Sequence, residues 1–221
     1  MSLDRNARLR IIVLGAIVRW PLGGISWHYL QYAMGLAHLG HDVFFLEDSG
    51  DDEWCCYDPA KLASSTDPSY GMEYAEDVFK RINLNESWAY YNSHTSRWLG
   101  PASDDISNIC KTADLLINVS GVNPIRPWFA VVPKRVFVDT DPCFTQIARV
   151  LDPTQRSLAI QHTDFFSFGE SIGRKSSTVP DDGFCWQPTR QPIVLDAWPV
   201  TEGPSEGKDA SINNVYILGW F

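Results

Sequence analysis

The chain has 221 residues, of which 44% are hydrophobic and 20% charged, so it is long enough to bury a sizeable core without disulfides or metals. A formal net charge of -9 and a pI near 4.9 argue against a nucleic-acid partner, because neutralising phosphates requires clustered Lys and Arg. The longest apolar run, Ile11 to Val18, is far shorter than the ~20 residues of a membrane helix, which excludes a transmembrane segment there and leaves peripheral membrane contact open.

In chain order, residues 1–8 are polar and give no signal peptide. Leu9 to Val18 is almost continuously apolar and rich in Ile and Val, the pattern of a strand covered on both faces of a parallel sheet. The stretch Trp20-Pro21-Leu22-Gly23-Gly24 breaks it. Ser26 then suits the cap of a helix reaching about Leu39, with Gly40 at the left-handed position that ends it. Asp42 to Glu47 is a second short strand, so this region reads as a βαβ unit.

Residues 48–70 are acidic and turn-rich and read as a long surface loop. A helix is expected over Gly71 to Arg81 and a short strand over Ser87 to Asn92. Asp104 to Thr112 reads as a helix and Asp114 to Val119 as a strand, broken by Ser120-Gly121-Val122-Asn123-Pro124. Pro127 opens a short helix that ends by Pro133. A strand over Arg135 to Val138, a helix over Phe144 to Leu151 and a strand over Asp164 to Phe168 complete the alternation. Alternating strands and helices indicate an α/β doubly wound, mostly parallel sheet. Beyond Ser176 prolines dominate, and only Ile193 to Trp198 looks like a strand. After Trp198 the chain reads as a linker, followed by the apolar stretch VYILGWF.

The five cysteines, two of them adjacent (Cys55 and Cys56), contain no C-x-x-C pair and form neither a disulfide framework nor a zinc knuckle. Reduced thiols in a cytoplasmic protein are the expectation. Of the two N-x-S/T sequons, Asn118 falls inside an expected buried strand, so both are read as chance occurrences. The nine tryptophans are read mostly as packing residues.

In open α/β sheets ligands sit at the carboxyl ends of the strands. Three such ends carry candidate residues. At the first, Gly15 lies too far before Gly23 for a G-x-G-x-x-G fingerprint, and no Gly-Lys-Ser/Thr follows, so neither a dinucleotide site nor a P-loop is supported. Gly23 and Gly24 still allow a ligand near a helix N-terminus. There the positive dipole end lowers an imidazole pKa, which makes His28 a candidate base as well as a candidate packing residue. At the second end, Gly121 permits a sharp turn and Asn123 is suited to bond a ligand hydroxyl. At the third, Asp139 and Asp141 are suited to sugar hydroxyls, a metal or a catalytic proton, while Asp141 equally suits the cap of the next helix.

The stretch LRIIVLGAIVRWPLGGISWHYLQYAMGLAHLGHDVFFLED resembles the amino-terminal βαβ unit of GT-B glycosyltransferases. In those enzymes the first strand ends in a Gly-Gly loop and the helix in L-x-x-x-G-H-x-V, here Leu36 to Val43. The stretches VFVDTDPCFTQ and FCWQPTRQPIVLDAW also look like segments of a bacterial glycosyltransferase-like group. The resemblance implies a Rossmann-like, acceptor-side domain over residues 1–200. Residues 201–221 would then hold the linker and the start of a donor-binding domain. It implies transfer of a sugar from a nucleoside-diphosphate sugar to the hydroxyl of a small molecule or glycan, with no bound metal or other cofactor. Gly23, Gly24 and His28 match the family's first loop and helix start. Sugar-nucleotide epimerases share the signature, and a non-catalytic module that binds a glycan or partner remains the reading from a different class. Donor, acceptor, stereochemistry and oligomeric state are left open by the sequence.

Overall fold

The computed structural model describes residues 7–198. Its strands are β1 (Arg10–Leu14), β2 (Asp42–Asp48), β3 (Cys56–Asp58), β4 (Ala63–Ser65), β5 (Trp88–Asn92), β6 (Arg97–Leu99), β7 (Leu115–Val119), β8 (Lys134–Asp139), β9 (Asp164–Ser167) and β10 (Trp186–Pro188). Its helices are α1 (Gly23–His38), α2 (Ser69–Arg81), α3 (Ile106–Thr112), α4 (Pro127–Ala130), α5 (Phe144–Leu151) and α6 (Pro153–Ala159). Eight strands form one sheet in the order β10-β9-β8-β7-β1-β2-β5-β6, all parallel except the β5–β6 pair. The fold is Rossmann-like and doubly wound. Among the described residues no helix is long and apolar enough to cross a membrane. The linker and second-domain start read over 201–221 lie outside the described residues.

Strand alternation builds a core on each face of the sheet. Ile11 and Val13 of β1, Phe45 of β2 and Trp88 and Tyr90 of β5 pack under α1 and α2, with Tyr29, Leu30 and Phe79. Ile12 and Leu14, Leu46 and Ala89 face the other way, against Ile109 of α3 and Phe129 of α4. Both faces of the central strands are therefore apolar, which is why their sequence shows no polar alternation.

The helix α1 ends as expected. Gly40 has φ +89°, its N–H donates to Ala37 O, and the His41 N–H donates to Leu36 O, the paired bonds of a Schellman motif. Other boundaries differ from expectation. The first strand stops at Leu14 rather than Val18, because the N–H groups of Ile17 to Arg19 bond a side chain instead of a neighbouring strand. The helix starts at Gly23 rather than after Ser26, whose hydroxyl donates back to Leu22 O from inside the helix. The acidic segment after β2 is not all loop: it carries the β3–β4 hairpin and buries Cys55 and Cys56. Residues 193–198 form no strand. Val194 and Ala197 pack on the α1 side, Ile193 and Leu195 point outward, and Leu195–Ala197 is a 3-10 turn.

A second buried group closes the far half of the sheet. The Arg149 guanidinium lies 4.3 Å from the Phe137 ring centre and 4.9 Å from that of Trp186, with Asp182 at 3.6 Å. Next to it, His162 is 7% exposed. Its Nε2 accepts from Asn118 Nδ2 and its Nδ1 donates to Ala159 O, both at 3.1 Å, so the neutral ring is fully bonded. Asn118, one of the two sequon asparagines, is fully buried in β7.

Burial holds the His162 pKa down at about 4, against 6.5 for an ordinary imidazole. Between those two values the unfolded chain takes up a proton that the native chain refuses. Stability is therefore retained above pH 6.5 and falls as the pH drops towards 4, by up to about 3 kcal/mol from this residue. Urea unfolding at pH 7.5 and pH 4.5 tests this, with His162→Gln expected to show a loss about 2–3 kcal/mol smaller than wild type.

Candidate functional site

The loops after β1 and β7 diverge, because β1 crosses over to β2 on one side and β7 to β8 on the other. This is the switch point of the sheet, where a doubly wound fold opens its crevice. His28 enters the crevice from α1 and Ser120 from the turn after β7. His28 Nε2 lies 3.3 Å from Ser120 Oγ, which in turn lies 2.6 Å from Thr140 Oγ1 at the end of β8. All three side chains are half-buried. The rings of Tyr32 and Phe168 stand edge-on to the imidazole, at centroid distances of 6.3 and 6.4 Å. The chain then crosses from β10 to α1. There Gln191 Nε2 donates to His28 O at 3.0 Å, and the Val194 N–H donates to Gln31 Oε1 at 2.5 Å. The Trp198 ring leans against Trp27, tilted by 41°, with ring centres 5.0 Å apart.

Because α1 begins at Gly23, His28 sits in the second helical turn, not the first. The helix dipole is weaker there. Burial is what lowers the His28 pKa below its ordinary value, and the Gln191 side chain partly opposes that shift. The result is a neutral imidazole at pH 7, able to accept a proton through Nε2.

The loop that leads into α1 is held by Glu47, the next-to-last residue of β2. Its carboxylate accepts from the N–H groups of Ile17, Val18 and Arg19 at 2.7–2.8 Å and from Arg19 Nε at 3.3 Å. Burial pushes the Glu47 carboxyl up, and Arg19 and the three N–H groups oppose it. Three amides that point one way form an anion nest, and here the chain's own carboxylate fills it. Asp48, the following residue, is also buried and pairs with Arg126 Nε and Nη2 at 3.0 and 3.1 Å. The acidic end of β2 is thus committed to holding loops together.

The other expected site residues are placed as follows. Gly23 and Gly24 are exposed at the start of α1, with open space where a Cβ would stand. Gly121 has φ +63°, and a Cβ there would run into the Phe137 ring, so its role is the turn itself. Asn123 is 3% exposed, and its amide is committed internally: Nδ2 donates to Gly15 O at 2.9 Å and Oδ1 accepts from the Asp48 N–H at 2.8 Å. Asp139 is fully buried and accepts from Ser167 Oγ, Gln146 Nε2 and the Asp141 N–H at 2.7–3.0 Å. It ties β8, α5 and β9 together. Asp141 is exposed and does not cap α5. The cap is Cys143, at φ +83°, whose N–H donates to Gln146 Oε1. Of the expected residues, then, the crevice gathers His28, while the two glycines stand exposed at the start of α1. It adds Ser120, Thr140 and Gln191, which spacing alone did not single out.

Among the described residues no group of three or more His, Cys, Asp or Glu side chains is placed to hold a metal ion. Comparison with protein-family models, curated proteins and solved structures finds no match to this chain.

Replacing Glu47 by Gln turns an amide N–H₂ towards the N–H groups it now accepts from, leaving buried donors unbonded. The expected loss is about 3 kcal/mol, read from urea unfolding. A loss below about 1 kcal/mol would show that the loop does not depend on this carboxylate.

Proposed function

We propose that the chain is the acceptor-side domain of a glycosyltransferase, in which a sugar passes from a nucleoside-diphosphate sugar to an acceptor hydroxyl. His28 is the base that takes the hydroxyl proton. The observation that supports this most is a half-buried imidazole, kept neutral by burial, 3.3 Å from a hydroxyl at the switch-point crevice. A hydroxyl within reach of Nε2 is the geometry that an acceptor alcohol requires. The Glu47-filled loop favours the acceptor side over the donor side, since its amides are engaged and do not cradle a diphosphate. The Gly-Gly loop and the Leu36 to Val43 signature agree with the same reading.

The test is binding to this chain by NMR, following the His28 ring resonances. A panel of mono- and disaccharides is compared with UDP and GDP. Saccharide binding that shifts His28 and is abolished in His28→Ala is expected, with the free nucleotides binding no tighter than about 1 mM, a standard free energy of about -4 kcal/mol. Micromolar binding of UDP or GDP, or no shift of His28 by any saccharide, contradicts the proposal.

A further inference from the structure

Ser120 has a backbone conformation that serine rarely adopts. Its φ is +60°, in the left-handed region, and Gly121 follows at +63°. A side chain in that region costs on the order of 1 kcal/mol. The turn is nonetheless fixed: the Ser120 N–H donates to Val138 O at 2.8 Å, and Phe137 lies against Gly121. Strain of this kind at a strand's carboxyl end is how α/β folds raise a nucleophilic serine above the sheet.

Ser120 Oγ lies 2.6 Å from Thr140 Oγ1 and 3.3 Å from His28 Nε2. These contacts allow the arrangement a nucleophile needs, in which the Thr140 O–H donates to Ser120 Oγ and the Ser120 O–H donates to Nε2. His28 must then carry its proton on Nδ1. Gln191 stands beside it: its Nε2 donates to the His28 carbonyl, and its Oε1 is buried with no hydrogen-bond partner among the described residues, an acceptor free for that N–H. Nucleophile, base and orienting group are the three parts of an activated serine.

We propose that Ser120 is a nucleophile activated by His28 and oriented by Thr140 and Gln191, and that the crevice carries out acyl transfer from small carboxylic esters. Ser120 Oγ bonds to the ester carbonyl carbon while its proton passes to His28 Nε2. The tetrahedral adduct collapses, the bond from carbon to the leaving oxygen breaks, and His28 returns the proton to that oxygen, releasing the alcohol. Water then attacks the acyl-serine with its proton going to His28. The carbon–Oγ bond breaks, the carboxylic acid leaves, and Ser120 regains its proton from His28. A neutral ester fits better than a phosphoester, because the nearby Arg19 and Arg126 are already paired with Glu47, Asp48 and Asp51. The Tyr32 and Phe168 rings beside the imidazole favour a short acyl group. This chemistry needs no nucleotide sugar and stands apart from the sugar-transfer reading.

The test uses the whole chain with a fluorophosphonate probe, whose phosphorus takes Ser Oγ as fluoride leaves, and with p-nitrophenyl acetate. Expected are one label per folded chain, mapped by peptide mass to Ser120, and a burst of about one equivalent of p-nitrophenol. Ser120→Gly removes the hydroxyl and relieves the left-handed strain, so it folds and should take no label. His28→Gln should slow labelling by about 100-fold or more, with its fold checked by circular dichroism. The proposal is overturned if the folded chain takes no label at Ser120. It is equally overturned if Ser120 labels as fast in His28→Gln or in the urea-unfolded chain. Saccharide binding that persists in Ser120→Gly would leave the sugar-transfer reading in place whatever the outcome here.

Discussion

One buried carboxylate sets the geometry on which the rest of the crevice depends. Glu47 leaves the end of β2 and collects the three consecutive N–H groups of Ile17, Val18 and Arg19, together with the Arg19 guanidinium. Without such an acceptor those amides would be orphaned in a buried loop, at a cost of about 1–3 kcal/mol each. The capture ends β1 early, fixes the path through Trp20 and Pro21, and so decides where α1 starts. The start of α1 in turn decides which helix position faces the turn after β7, and that position is His28. Asn123 reinforces the arrangement from the other side, bridging Gly15 O after β1 and the Asp48 N–H at the end of β2.

The carboxyl edge of the sheet thereby divides into two kinds of polar group. Glu47, Asp48, Asn123 and Asp139 are buried and bonded to the protein itself. His28, Ser120 and Thr140 are half-buried and converge on one another at the switch point. The buried acidic residues, conspicuous in the sequence, are thus engaged by the protein's own donors, whereas the imidazole and the two hydroxyls stay half-buried. The division also unites the two functional proposals. Both rest on a neutral imidazole with a hydroxyl at Nε2, and they differ in whether that hydroxyl belongs to a bound acceptor or to Ser120.

Much of the fold was legible because the central strands are apolar on both faces and the helices between them end in clear signals such as Gly40. Phe144 to Leu151 is helical with the expected bounds, and a strand follows each main crossover. Edge elements were harder. The strands β6 and β10 have three residues each, too few for a pattern, and residues 193–198 read as a strand although only Val194 and Ala197 pack on the α1 side. The candidate site was legible only in part. His28 was singled out by its position after the Gly-Gly loop. Asp139 and Asn123 look like ligand residues in sequence, because one-dimensional spacing does not show that Ser167 and Gln146, or Gly15 and Asp48, will absorb their hydrogen bonds. Ser120 could have been found from Ser-Gly at a strand end, but its left-handed backbone is set by contact with Phe137 and Val138, which only folding brings near.

Amide hydrogen exchange at Ile17, Val18 and Arg19 is the most direct measure of this account. If Glu47 holds the loop, these three amides exchange as slowly as Ile12 and Val13 in β1, although no strand pairs with them, and in Glu47→Gln they alone become fast. Exchange of all three at the rate of an open loop in the wild-type chain would contradict it.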